Sequence, residues 1–326
     1  MDVRARVRRV CPLTDSVTVC VDLLKDCLAL QKKELFLIVT DDNKVDLAQY
    51  LYQAGKQIGA ETMLLLMEER EKSGQEPPEP VAEAMKSADV VVCITEHSLT
   101  HTTAKKEAVA AGTRVATMPG ITADMFYHGA ITANYHQVKA LTEKVTTYLE
   151  KSKEVRIEKD GETLTFSIAG RHGIASTGVL TNHGDSGNLP SGEAFIAPVE
   201  GTASGKIKVD GSVADIGILR SPLWLTLEEG RLVGVDGEAA EQLLTLLHSD
   251  ESRQLAEFGI GTNNKARITG VVLEDEKVYG TIHLAFGSNV TFGGQIEAGV
   301  HIDLVIKEPD VYLDGKKFMV KGIPVV

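Results

Sequence analysis

Residues 35–42 read Leu35-Phe36-Leu37-Ile38-Val39-Thr40-Asp41-Asp42, a short, almost wholly apolar run closed by two carboxylates. Such a run suits a strand buried on both faces, the kind found in parallel sheets. The residues after it decide the fold. Val45, Leu47, Tyr50, Leu51, Ala54 and Ile58 recur at helical spacing and stop at Gly59. The alternation then repeats: strand Thr62–Met67, a helix from Pro80 to Met85, strand Ala88–Thr95, a helix from His101 to Ala111 and strand Thr113–Thr117. A long amphipathic helix over Thr132–Lys151 carries Tyr135, Val138, Leu141, Val145 and Leu149 near one face and closes this half. The expectation is an N-terminal α/β domain over residues 1–152, a doubly wound, mainly parallel sheet.

Ligands of such sheets sit at the C-terminal ends of the strands. No GxGxxG or GxxxxGK[ST] follows any of these strands, so a dinucleotide or nucleoside triphosphate has no fingerprint here. The third strand leads into Glu96-His97-Ser98-Leu99-Thr100-His101-Thr102. Ser98 or Thr100 is expected to cap the next helix, and His101 is the residue in this loop that could face a substrate.

The pattern changes near residue 153. Asp160-Gly161, Asp210-Gly211 and Glu229-Gly230 each separate two strand-like runs, which predicts three hairpins. Glu238–His248 reads as a helix, and strands return over Arg267–Leu273, Val278–Phe286, Val300–Ile306 and Val311–Leu313. Residues 153–326 are thus expected to form an α+β domain rich in antiparallel strands.

Composition narrows the function. A chain of 326 residues accommodates two domains, and 43% hydrophobic with 25% charged residues is ordinary for a soluble globular protein. A net charge of −12 argues against nucleic-acid binding, which needs a basic surface. The cysteines Cys11, Cys20, Cys27 and Cys93 form no CxxC pair, and a disulfide framework is not expected. The basic N-terminus lacks the apolar core of a signal peptide, and no apolar run approaches the ~20 residues of a membrane span. The cytoplasm is the expected compartment.

The chemistry concentrates in Gly280–Asp303. Side chains alternate along a strand, so His301 and Asp303 project from one side and offer an imidazole and a carboxylate to one metal ion. If the preceding run pairs with theirs, His283 comes within reach. Two further acids, Glu193 and Glu257, sit among apolar neighbours, where a carboxylate needs a cation, a proton or hydrogen bonds. Glu274-Asp275-Glu276-Lys277 falls where a hairpin turn is expected, which reads as a solvated turn.

Taken in order, NLPSGEAF, AEFGIGTN, EDEK, GTIHLAFG and HID resemble the thermophilic metallo-aminopeptidases of the aminopeptidase T and aminopeptidase S type. LFLIVTDD and SLTHT extend the resemblance into the first half. It implies a two-metal centre of zinc or cobalt on Glu193, Glu257, His283, His301 and Asp303. It further implies acid/base work by Glu276, release of N-terminal residues from small peptides, and a homodimer. Ser288, Asn289 and Val290 occupy the region where these peptidases carry a tyrosine, a departure that bears on hydrolysis more than on metal binding. The 2,5-dihydroxypyridine 5,6-dioxygenases, similar in fold to these peptidases, hold one non-haem iron(II) by two histidines and an aspartate. On that pattern His301 and Asp303 match the paired ligands, His248 or His283 is the third, and His101 is a substrate-side group. A third reading is a non-catalytic binding protein, with His283 a satisfied core histidine. The hydrolase is the preferred expectation.

Overall fold

The computed structural model describes residues 13–325; the basic N-terminal stretch 1–12, with Cys11, lies outside the described residues. Contacts divide the chain into two compact units. One ends at Thr132 and includes Leu180–Leu189; the other consists of Ala133–Val179 and the residues from Pro190 onward.

In the first unit, β1 (Leu35–Asp41) pairs in parallel with β2 (Glu61–Met67) on one side and β3 (Val90–Ile94) on the other. β4 (Arg114–Thr117) pairs with β3, and Ser186–Asn188 adds a last parallel strand beside β4. Helices α1 (Leu13–Leu28), α2 (Val45–Ile58), α3 (Glu79–Ser87), α4 (Thr103–Ala110) and α5 (Ala123–His128) accompany the sheet. Leu37, Val39, Val91, Cys93 and Val115 pack with Val81 and Met85 of α3 and with Ala104 and Ala108 of α4. On the alternate face, Gly55 of α2 lies so close to Phe36 and Thr62 that a Cβ there would collide with both. Helices therefore cover both faces, as the near-continuous apolar sequences of β1 and β3 require.

Some details differ from expectation. The cap of α4 is Thr102, whose side chain accepts from Lys105 N–H; Ser98 and Thr100 instead hydrogen-bond each other at 2.8 Å. Thr100 also meets Thr117 at 2.8 Å and Asn188 at 3.2 Å. Cys20, Cys27 and Cys93 are buried and free.

The second unit begins with helix α6 (Tyr135–Lys151), which packs on the strands Ile174–Ser176 and Glu193–Ile196. The expected boundary after residue 152 divides the chain differently, since α6 lies in this unit and Ser186–Asn188 in the first. Two antiparallel sheets follow, one of eight strands and one of seven. The Asp160-Gly161 and Glu229-Gly230 hairpins form within the larger sheet. The Asp210-Gly211 hairpin does not: Ser204–Val209 pairs with Leu223–Glu228 and Glu162–Ser167, while Ser212–Val213 joins the other sheet. Gly211 N–H donates to the Val305 carbonyl at 3.0 Å, so the chain passes between sheets at this turn.

The seven-stranded sheet has one apolar face. Ala194, Ile196, Phe258, Ile260, Ile282, Leu284, Phe286, Ile302, Leu304 and Ile306 alternate into a core shared with Val155, Ile157, Phe166, Ile207, Leu225 and Val311 of the larger sheet. The residues between them therefore point to the opposite face. Among the described residues, no helix is long and apolar enough to cross a membrane.

Candidate metal centre

The opposite face of that sheet gathers the acids and imidazoles. Its four relevant strands lie in the order His301–Lys307, Thr281–Gly287, Leu255–Gly261, Glu193–Ile196. Register places His283 across from Val305 and from Gly259, and Ala285 across from Asp303 and from Glu257. Glu193 stands across from Gly261. Glu193, Glu257, His283, His301 and Asp303 thus share one face, although the chain brings them from four strands.

Glycine makes this arrangement possible. A Cβ on Gly259 would overlap the Nε2 edge of the His283 ring, and a Cβ on Gly261 would strike the Val278 carbonyl. The sequence AEFGIG therefore presents Glu257 and leaves vacant the positions that His283 and the Lys277–Val278 backbone occupy.

Distances define a chain of partners. Glu257 Oε1 lies 3.2 Å from His283 Nε2, and Glu257 Oε2 lies 3.3 Å from His301 Nε2. His301 Nε2 is 3.5 Å from Asp303 Oδ1, and His283 Nε2 is 3.6 Å from Glu193 Oε2. Donor atoms of Glu257, His301 and Asp303 all lie within 4.8 Å of one another. Two carboxylates and one imidazole are a fitting donor set for a divalent ion, with positions left for water or substrate. His301 Nδ1 lies 2.8 Å from the Ser288 carbonyl. A carbonyl only accepts, so Nδ1 carries the proton and Nε2 is directed to the donor set. The His301 side chain is 30% exposed, whereas His283 is fully buried, so His301 forms the accessible edge.

Electrostatics follow from burial. Desolvation would raise the Glu257 pKa, yet hydrogen bonds from His283 and His301 override it and bring the carboxyl down to about 2. Burial likewise opposes charge on His283, but Glu257 and Glu193 raise it to about 9. His301 is held well above the ordinary histidine range, against its burial, by Asp303 and Glu257. Without an ion, the imidazoles carry the positive charge that this many carboxylates require.

The tetrad Glu274–Lys277 is not a solvated turn. Val272–Asp275 is a short helix, and Glu274, Asp275 and Lys277 are fully buried. Nor does Arg267–Leu273 form a strand. Asp275 accepts from the N–H groups of Thr269 at 2.6 Å and Gly270 at 2.9 Å, and Glu274 accepts from Arg267 N–H at 3.2 Å. These bonds satisfy the loop backbone locally, which removes it from sheet pairing. The first two acids of the tetrad hold the loop, and the last two residues reach the cluster. Lys277 Nζ is ion-paired with Glu276 and stands 3.5 Å from Glu193 Oε1. Burial and the neighbouring Glu193 carboxylate raise Glu276 to about 8, against the pull of Lys277.

Asn289, named above only as a departure from the peptidases, and Arg171, Glu200 and Phe292, which the sequence does not single out, support the same edge. Asn289, fully buried, accepts from Ile296 N–H at 2.8 Å and donates to Glu200 at 3.3 Å. Glu200 also accepts from Gln295 N–H at 2.9 Å and is ion-paired with Arg171. The loop so held sets Phe292 edge-on to His301, 5.8 Å between ring centres. Only the polar residues flanking this loop could have hinted at it. His248 is exposed, with Nδ1 3.2 Å from the Leu246 carbonyl, and is not among the clustered groups. His101 belongs to the first unit, one residue before the cap of α4.

A wound parallel unit followed by antiparallel sheets, one bearing carboxylates and imidazoles on a single face, defines a class with known members. The chain belongs to the NicX family, described as 2,5-dihydroxypyridine 5,6-dioxygenase, whose model matches residues 15–326. It is 24% identical over 195 residues to 2,5-dihydroxypyridine 5,6-dioxygenase of Pseudomonas putida, covering 54% of this chain and 55% of that protein. It is 32% identical over 178 residues to aminopeptidase T of Thermus aquaticus, covering 48% of this chain and 43% of the relative. It is 25% identical over 180 residues to aminopeptidase AmpS of Bacillus subtilis, covering 48% of this chain and 44% of that protein. These alignments span about half the length of the curated relatives. In fold, the chain is similar to the 2,5-dihydroxypyridine dioxygenase structure from Pseudomonas putida, with TM-score 0.82, 16% identity, and 97% and 99% of the two chains covered. AmpT from Thermus thermophilus follows with TM-score 0.72, 19% identity, and coverage of 96% and 99%.

Proposed function

We propose that this chain is a metal-dependent hydrolase of the aminopeptidase type, removing N-terminal residues from small peptides. One observation carries the reading: the convergent donor set is Glu257, His301 and Asp303, two carboxylates and one imidazole. An ion held there, zinc or cobalt, would supply Lewis acidity toward a peptide carbonyl and activate water. The protein's own part is proton transfer. Glu276, at about 8, retains its proton at neutral pH, and Lys277 fixes its position. A carboxyl so poised serves to deliver a proton to a departing amine nitrogen. The resemblance to aminopeptidases extends the reading to a cytoplasmic homodimer, and the net charge of −12 supports the absence of a nucleic-acid partner.

The second reading is a mononuclear iron(II) dioxygenase, favoured by the family match over residues 15–326. It needs two imidazoles and one carboxylate on one ion. His283 is the available second imidazole, with its Nε2 3.2 Å from Glu257 Oε1 and 3.6 Å from Glu193 Oε2, and the convergent set of Glu257, His301 and Asp303 does not include it. Aminoacyl chromogenic substrates with zinc- or cobalt-loaded protein test the first reading. Absence of hydrolysis there, together with oxygen uptake on dihydroxypyridines by the iron(II)-loaded protein, would reverse the order. Unchanged metal content after His301→Ala with Asp303→Ala would remove the centre from both.

A further inference from the structure

The face carries more donors than one ion needs. Glu193, His283 and Glu257 Oε1 lie on one side of the Glu257 carboxylate, and Glu257 Oε2, His301 and Asp303 on the other. Two ions sharing Glu257 could be imagined. The first side, however, already contains a cation. Lys277 is fully buried, its ammonium paired with Glu276 and 3.5 Å from Glu193 Oε1. Its backbone is anchored at both ends of the residue: N–H to the Glu274 carbonyl at 3.0 Å, and carbonyl to Asn263 N–H at 2.9 Å. The close approach at Gly261 seats the same segment against the sheet.

We propose that Lys277 is a built-in cation standing where a second metal ion would be needed, so that the cluster binds one divalent ion per chain. The inference rests on placing that ion at Glu257, His301 and Asp303. Charge balance supports it. The carboxylates of Glu193, Glu257 and Asp303, with Glu276 holding its proton and the imidazoles neutral, are balanced by one ammonium and one divalent ion. A second divalent ion would leave the enclosed cluster positive while placing it against a fixed ammonium, and buried like charges are mutually disfavoured. Geometry supports it too. The donors around His301 converge within 4.8 Å of one another, whereas Glu193 divides its two oxygens between Lys277 and His283.

The test is a count of bound ions. The full chain is stripped with chelator, dialysed against excess zinc and then against metal-free buffer, and examined by native mass spectrometry and elemental analysis. One ion per chain is expected for the wild type and for Lys277→Arg, and two for Lys277→Met, which keeps the side-chain length and removes the charge. The double variant Glu276→Gln with Lys277→Met removes both members of the ion pair and replaces the single variant should that fail to fold. Two ions in the wild type would overturn the proposal, as would one ion in a folded Lys277→Met. Two ions with peptide turnover would overturn this inference and leave the hydrolase reading standing. One ion without turnover would leave this inference standing and overturn that reading. No bound ion would overturn the metal centre itself.

Discussion

Glu257 and Asp303 stand on strands that are not neighbours, yet they belong to one row: Glu257 pairs with Ala285, and Ala285 pairs with Asp303. Adjacent strands lie about 4.8 Å apart, so the outer two backbones are separated by roughly twice that distance. The two carboxylates can lean toward a common centre because the residue between them in the row is Ala285, whose methyl is small and fully buried. A larger side chain there would fill the space an ion needs while leaving every ligand in the sequence. Ala285→Val is expected to weaken zinc binding by at least the ~10–100-fold that loss of a supporting partner costs. Ala285→Gly should bind zinc much as the wild type does. Equal affinity in all three proteins, measured by competition with a chromogenic chelator, would place the ion elsewhere.

Gly259 is the counterpart of His283. A methyl group at this position would overlap the imidazole, which has no alternative volume in a fully buried site. Gly259→Ala is expected to destabilise the metal-free protein by about 1–3 kcal/mol, the usual range for overpacking. Chemical denaturation gives the stability change, and histidine NMR resonances report the ring. An unperturbed His283 resonance in Gly259→Ala would contradict the packing described.

The two imidazoles make the metal-free protein and the metal complex respond oppositely to pH. His283 is raised to about 9 and His301 well above its ordinary value, in both cases by carboxylates that outweigh burial. An unfolded histidine titrates near ~6.5, so the stabilisation from His283 is complete below that pH and is lost as pH rises through about 9. The melting temperature of metal-free protein should therefore fall between pH 6.5 and about 9. Ligation requires unprotonated nitrogen and His301 is held protonated well above its ordinary range, so apparent zinc affinity should climb as pH rises above neutral, by roughly tenfold per pH unit for each proton displaced. A pH-independent affinity would mean that neither histidine is a ligand.

Glu276 offers a separable test of the chemistry. Its burial and the Glu193 carboxylate keep it protonated up to about pH 8. If it delivers a proton to the leaving nitrogen, kcat should decline as pH rises above about 8, where that proton is lost. Glu276→Gln should lower kcat by about 10²–10⁴-fold and remove this limb of the profile, with metal content unchanged. A Glu276→Gln protein that retains both rate and limb would assign proton transfer to another group.

Much of the architecture was legible without coordinates. The apolar runs of β1 and β3, each followed by helical periodicity, are legible as a wound sheet because burial on both faces excludes polar residues from the strand. Asp160-Gly161 and Glu229-Gly230 are legible as hairpins because tight turns need residues that tolerate positive φ, and Asp160 and Glu229 adopt it. Asp210-Gly211 has the same local chemistry but a different fate. Gly211 N–H is taken by Val305, a residue far along the chain, and no local signal reports that competition.

The candidate centre divides in the same way. Period-two alternation put His301 and Asp303 on one side of a strand from sequence alone, and apolar surroundings marked Glu193 and Glu257 as acids in need of partners. Tertiary structure decided which strands stand side by side, and with them the row Glu257–Ala285–Asp303. It also decided that Lys277, in a stretch that reads as a charged turn, is a fully buried cation among these acids. The reason is physical. Alternation and turn chemistry are local properties of a chain, whereas the placement of a charge beside its partner depends on residues that meet only after the strands have paired.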